Sequence, residues 1–67
     1  MNEEMNMSMR KFLKQVGVTS QQAIEAALRE AGAEADGKTH KIRMVLTCDS
    51  LDLEHVVEGE IKGNASE

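Results

Sequence analysis

Cys48 and His55 are the residues of this chain whose chemistry comes nearest to that of a catalytic or metal-binding site. A thiol beside an imidazole can act as a nucleophile and its base, or as two ligands of a zinc ion. A zinc site needs three or four ligands, but Cys48 is the single cysteine and His40 is expected at the far end of the C-terminal hairpin. We therefore interpret Cys48 as a small core residue and His55 as a residue at the core margin. No catalytic residue, metal ligand or cofactor is assigned.

A cluster of acidic residues follows Cys48 and could in principle bind calcium. Asp49, Asp52 and Glu54 supply carboxylates. Calcium loops place oxygen ligands at alternating positions and use a glycine for the sharp bend. This stretch has neither that spacing nor that glycine. We interpret the three residues as solvated acids of a turn.

The amino-terminal half suggests an alternative function, the binding of nucleic acid. Residues 17–20 could join two short helices as in a helix-turn-helix, with Gln21 and Gln22 at the start of the second helix, where base contacts are made. Glu25 and Glu30 lie on the exposed side of that helix, and the net charge is −4. Affinity for nucleic acid depends on clustered Lys and Arg. We therefore rank a weak nucleic-acid binder second, and a small thiol enzyme around Cys48 last.

The elements that would position these residues begin with a C-terminal β-hairpin over 41–62. Apolar residues alternate with polar ones at a period of two, which is typical of strands with one dry and one wet face. We name the two sets the apolar face and the charged face. The apolar face contains Ile42, Met44, Leu46, Cys48, Leu53, His55, Val57, Gly59 and Ile61. The charged face contains Lys41, Arg43, Val45, Thr47, Glu54, Val56, Glu58 and Glu60.

One register satisfies the whole hairpin. With the turn between Cys48 and Leu53, Arg43 faces Glu58 and Val45 faces Val56. Favourable cross-strand pairs contribute about 0.2–1 kcal/mol each, and a slip by one residue would turn the apolar face outward. The turn type stays open between two residues and a longer loop over 49–52. The isolated pair of valines among charges makes Arg43, Val45, Val56 and Glu58 the candidate interaction surface.

Two helices are predicted before the hairpin, at about 3–16 and 20–31. Apolar residues recur at helical spacing in both segments. Asn2 or Asn6 could cap the first helix, and Gly17 is placed to end it in a left-handed conformation. Thr19 and Gln22 form a capping-box pattern for the second helix. A flexible connector over 33–39 follows, and a disordered tail is predicted over 63–67.

The small size of the chain makes self-association an attractive prediction. A core built from 67 residues rarely supplies more than about 3–5 kcal/mol. A single cysteine excludes an internal disulfide, so oligomerisation is the reinforcement that remains. Neither a membrane helix nor a signal peptide is indicated, which favours a cytoplasmic location.

Two stretches of the sequence resemble a family of short bacterial proteins known as a domain of unknown function. They are NMSMRKFLKQVGVTSQQAIEAALREA and LDLEHVVEGEI, which together with a variable connector span nearly the whole chain. The family carries no established activity, cofactor or catalytic residue, so the resemblance transfers none. It implies a stand-alone bacterial cytoplasmic protein.

These observations predict one small α+β domain over 1–67, with two helices packed on one face of an antiparallel hairpin. We expect an interaction protein that is a homodimer or an accessory to another, unidentified protein. We expect no enzyme activity, no cofactor, no small-molecule substrate and no membrane contact.

Overall fold

A computed structural model of the chain describes residues 2–63. The chain has an α-helix, α1 (Glu3–Ala31), followed by a 3₁₀ turn at Gly32–Ala35 and two strands, β1 (Thr39–Cys48) and β2 (Leu53–Lys62). The predicted α+β class is therefore confirmed. The chain divides into two compact units, Met1–Gly32 and Ala33–Glu67. The single domain and the packing of helix on sheet stay predictions.

Both ends of α1 carry the expected signals. The side chain of Asn2 accepts a 2.7 Å hydrogen bond from the backbone N–H of Met5, which satisfies one of the unpaired donors of the first turn. Glu3 and Glu4 lie at the positive end of the helix dipole. At the other end Gly32 has φ +64°, and its N–H bonds to the carbonyl of Leu28. The predicted end of the helical segment at residue 31 is confirmed.

The predicted break between two helices is wrong, because α1 runs without interruption through residues 17–20. Gly17 keeps a negative φ, unlike Gly32 and Gly37. The hydroxyl of Thr19 donates backward to the carbonyl of Gln15 at 2.8 Å, so it does not act as the acceptor of a capping box. A Thr side chain can make either bond, and here the bond within the helix is the one formed.

The residues along one side of α1 contain the signal that predicts a single helix. Val16, Ser20, Ile24 and Leu28 are its half-buried residues, and they follow one another at intervals of four. Residues four apart lie on the same side of a helix. This line of half-buried residues continues past Gly17 at the same spacing. Two independent helices would not be expected to keep that spacing across their boundary.

The hairpin register is confirmed pair by pair. Val45 lies opposite Val56, Arg43 opposite Glu58 and Leu46 opposite His55. The strands extend beyond the predicted pairing, since Thr39 lies opposite Lys62. Within the described residues the sheet has two strands, β1 next to β2.

The turn of the hairpin is the longer of the two that the sequence left open. Asp49–Leu51 forms a 3₁₀ turn, and the N–H of Asp52 bonds to the carbonyl of Asp49 at 3.1 Å. Asp52 then adopts a left-handed conformation with φ +52°. Asp tolerates this region better than most residues do, which explains why a turn without glycine closes here.

The connector folds back onto the open end of the hairpin. The carbonyl of Ala35 accepts a bond from the N–H of Lys38 at 3.4 Å and lies 3.2 Å from the Nε2 of His40. Gly63 continues the strand pairing, with its N–H bonded to the carbonyl of Lys38 at 2.8 Å. Gly63 was predicted as the first residue of a disordered tail, but it is buried and paired. Residues 64–67 of that tail lie outside the described residues.

Among residues 2–63, Ala35 is the one buried apolar residue, with 3% of its surface exposed. Its place at the open end of the hairpin means that the connector, and not a sheet face, supplies the most enclosed point of the second unit. The rest of the apolar side chains, in the helix and in the hairpin, are half-buried or exposed.

Candidate interaction surface

The four residues predicted as an interaction surface come together on the charged face of the hairpin. Val45 and Val56 face each other, and Arg43 and Glu58 form the neighbouring pair. The valines are 47% and 40% exposed. β-Branched residues pack well against each other across a sheet, so they hold the hairpin together while leaving almost half of their surface to solvent.

The charged pair beside the valines is a weak one. The Nε of Arg43 lies 3.9 Å from the Oε2 of Glu58, and the two side chains are 64% and 72% exposed. Exposed ion pairs contribute about 0–1 kcal/mol, because water and salt screen them. The pair therefore contributes little to the stability of the hairpin. Its main effect is to place a positive charge on β1 and a negative charge on β2 beside the valines.

A shallow, open depression borders this surface toward the open end of the hairpin. It is lined by Lys41, Ile42, Arg43, Glu58, Gly59 and Glu60. A Cβ placed on Gly59 would meet one side-chain atom, the Cγ2 of Ile42, at 4.0 Å. Small-molecule sites are concave and enclose most of their ligand. This depression is open, so it is better suited to contact with the surface of another protein than to a small molecule.

The apolar face is far more exposed than the sequence predicts. Met44 is 40% and Val57 is 53% exposed, values close to those of the two valines on the charged face. Cys48 is half-buried and His55 is exposed, so neither lies in a core within the described part of the second unit. The predicted difference between a dry and a wet face is present in the burial of β1, whose apolar-face residues other than Met44 are half-buried and whose charged-face residues are exposed. In β2 every residue but Ile61 is exposed.

Cys48 and His55 do not form a reactive pair in the described residues. The nearest polar partner of the thiol is the hydroxyl of Ser50, 3.5 Å from the sulfur. This hydrogen bond, with a smaller contribution from the backbone at Leu51, lowers the pKa of the Cys48 thiol from its ordinary value. Ser50 was missed by the sequence reasoning, although a hydroxyl two residues along a turn is within reach of a thiol.

The basis for the nucleic-acid alternative is absent from the described helix. Gln21 and Gln22 lie in the interior of α1 and not at the start of a second helix. The Nε2 of Gln21 donates to the Oε2 of Glu25 at 3.1 Å. Since the helix-turn-helix needs a turn at 17–20, the prediction of that motif is wrong.

Two further observations concern the described part of the chain. Residues 2–63 contain no group of three or more His, Cys, Asp or Glu side chains placed to hold a metal ion. Within the same residues, no helix is both long enough and apolar enough to span a membrane.

The order of elements makes this a small α+β protein in which one long helix precedes an antiparallel hairpin. The chain belongs to a family of unknown function (DUF6494), whose model matches residues 1–64. Comparison with curated proteins and with solved structures found no match.

Proposed function

We propose that this chain acts by association with other protein surfaces and that its partner is a second copy of itself. The observation that carries the proposal is the exposure of apolar side chains in both units. Among residues 2–63, the single buried apolar residue is Ala35. Each unit by itself leaves apolar surface exposed, and burial of such surface is the main favourable contribution to folding and to association.

The hairpin supports this proposal because two strands alone are marginally stable in water. Three or more strands, or a covering element, are needed for independent stability. Both faces of this hairpin expose apolar side chains, with Met44 and Val57 on one and Val45 and Val56 on the other. Association would bury part of this surface at about 25 cal/mol for each Å² removed from water.

The helix adds to the argument independently. Met5, Phe12 and Leu13 are at least half exposed, and they lie on one side of α1 by their spacing. An apolar side of this kind normally packs against another element. Flexible Met side chains, of which the chain has five, adapt well to a protein partner.

Sedimentation equilibrium of the whole protein tests the proposal. We expect a mass above that of a single 7.4 kDa chain at micromolar concentration, with a midpoint of thermal unfolding that rises with concentration. A cooperatively folded single chain at high micromolar concentration would contradict the proposal. A single chain that folds only when another protein is added would instead assign the accessory role.

A further inference from the structure

The contact between Gly63 and Lys38 determines which backbone groups of the hairpin point outward. The N–H of Gly63 bonds to the carbonyl of Lys38, in line with the register that sets Thr39 opposite Lys62. In an antiparallel ladder, hydrogen-bonded pairs alternate with pairs that are not hydrogen-bonded. Counting from Lys38, the even-numbered residues of β1 bond to β2, and the odd-numbered ones turn their N–H and C=O groups outward.

The outer edges of the two strands therefore belong to the residues of the charged face, and the edges differ in charge. The outward residues of β1 are Thr39, Lys41, Arg43, Val45 and Thr47. Those of β2 are Glu54, Val56, Glu58, Glu60 and Lys62. The β1 edge is basic at one end and neutral around Val45, whereas the β2 edge is acidic on both sides of Val56.

Charge excludes a symmetric pairing of two β2 edges. An antiparallel pair centred on Val56 sets Glu54 against Glu58 of the second copy, and the reverse pair repeats the clash. Like charges directly opposite destabilise a sheet. The three glutamates instead protect this edge against further strands, as charged side chains commonly do.

The same symmetric pairing of two β1 edges has no such clash. With Val45 opposite Val45 of the second copy, Arg43 faces Thr47, and Lys41 lies opposite Asp49, the first residue of the turn that follows β1. The centre thus joins two β-branched residues, and the charged pairs, two by symmetry, are of opposite sign. Both copies contribute outward N–H and C=O groups at these positions, so the strands can exchange backbone hydrogen bonds.

Pairing of β1 with β2 of another copy would also match charges, since Arg43 would face Glu58. That contact joins different surfaces, so each added copy leaves a new free edge, and the assembly grows until it closes as a ring or continues as a filament. The β1–β1 contact closes after two copies. It leaves only the acidic β2 edges at the two sides of the sheet.

We propose that the outer edge of β1 is the docking site for β1 of a second copy, antiparallel and centred on Val45, forming one four-stranded sheet. This inference rests on the proposed self-association and specifies its contact. Val56, Val45, Val45 of the second copy and its Val56 then form a continuous apolar row across the charged face. The sheet then has four strands, and three or more are needed for independent stability.

Disulfide trapping tests the contact. In a Cys48→Ser background, Val45→Cys sets two thiols directly opposite each other, at a Cα separation of about 5.5 Å, which suits a disulfide. Val56→Cys in the same background is the matched control, since Val56 has similar exposure but lies one strand away from the joint. We expect mild oxidation to link V45C/C48S into covalent dimers and to leave V56C/C48S unlinked. Equal linking of both variants, or linking of V56C/C48S alone, would overturn the inference.

A second measurement separates this inference from the proposed function. Val45→Lys sets two ammonium groups across the joint and should raise the dissociation constant of the dimer at least tenfold. Val56→Lys, whose ammonium group lies one strand away from the joint, should raise it by a smaller factor. A wild-type dimer that V45K leaves unchanged overturns the β1 contact and keeps self-association. A wild-type single chain overturns both, and a series of open-ended oligomers overturns the closed dimer.

Discussion

The imidazole Nε2 of His40 lies 3.2 Å from the carbonyl oxygen of Ala35 and joins the connector to the open end of the hairpin. The same carbonyl group lies against the backbone of Gly63. The connector, the start of β1 and the residue after β2 thus meet at one point. This closure fixes the paired end of the sheet on which the proposed β1 edge depends.

Replacement of Gly63 should weaken this closure. A Cβ at Gly63 would collide with the carbonyl of Ala35, and relief of such crowding typically costs about 1–3 kcal/mol. We expect Gly63→Ala to lower the free energy of unfolding by that amount in urea denaturation at fixed protein concentration. Gly59→Ala is the matched control, because its Cβ would meet only Ile42 at 4.0 Å. Equal effects of both variants would contradict the role of Gly63.

Loss of the His40 hydrogen bond gives an independent check of the same closure. His40→Ala removes the donor to the Ala35 carbonyl, and we expect a loss of about 0.5–1.5 kcal/mol. His55→Ala removes an exposed imidazole from the same hairpin and should change the unfolding free energy by less than about 0.5 kcal/mol. Urea denaturation of the two variants side by side distinguishes the outcomes, and a larger loss for H55A would contradict the prediction.

The hairpin register was predictable because strand pairing is a rigid relation. Once the turn lies between Cys48 and Leu53, the period of two fixes every other pair, and the faces follow from the residue types. The four residues of the candidate surface were therefore found together as predicted. The closure at Ala35 was not predictable in this way, because one small residue in a connector belongs to no repeating pattern.

The error at Gly17 has a different physical origin. Glycine permits a left-handed helix end but does not require one, and Thr can either cap a helix or bond back to its own helix. Both local signals at 17–20 were thus ambiguous. The regular interval of four residues from Val16 to Leu28 was not ambiguous. It follows from the geometry of the whole helix and does not depend on the conformation of a single residue.

Alanine substitution distinguishes one helix from two. Gly17 has a negative φ and Gly32 a φ of +64°, while a Cβ at either position has no atom within 4 Å. We expect Gly17→Ala to raise the free energy of unfolding by about 0.5–1 kcal/mol and to increase the helical circular dichroism signal. Gly32→Ala should lower it by about 1–3 kcal/mol, since alanine is strained at positive φ. A destabilising G17A would favour a break at that position.

The hydrogen bond between Ser50 and Cys48 predicts the reactivity of the thiol. Since this bond lowers the pKa of Cys48, we expect the pH midpoint of its alkylation by iodoacetamide to lie below that of the same thiol in the chain unfolded in urea. Ser50→Ala should raise the midpoint toward that value. Thr47→Ala, which removes a hydroxyl from the other face of β1, should not. A midpoint that S50A leaves unchanged would remove Ser50 as the cause.

The same pKa shift predicts how Ser50 affects stability as pH changes. A thiol whose pKa is lower in the folded chain than in the unfolded chain favours folding above the unfolded-state pKa, and this contribution is lost as pH falls through the folded-state pKa. The stability difference between wild type and S50A should therefore be larger at pH 10 than at pH 6. Urea denaturation at the two pH values measures it, with Cys48→Ser as the control that cannot titrate. A difference of equal size at both pH values would mean that Ser50 stabilises the turn without acting on the thiol.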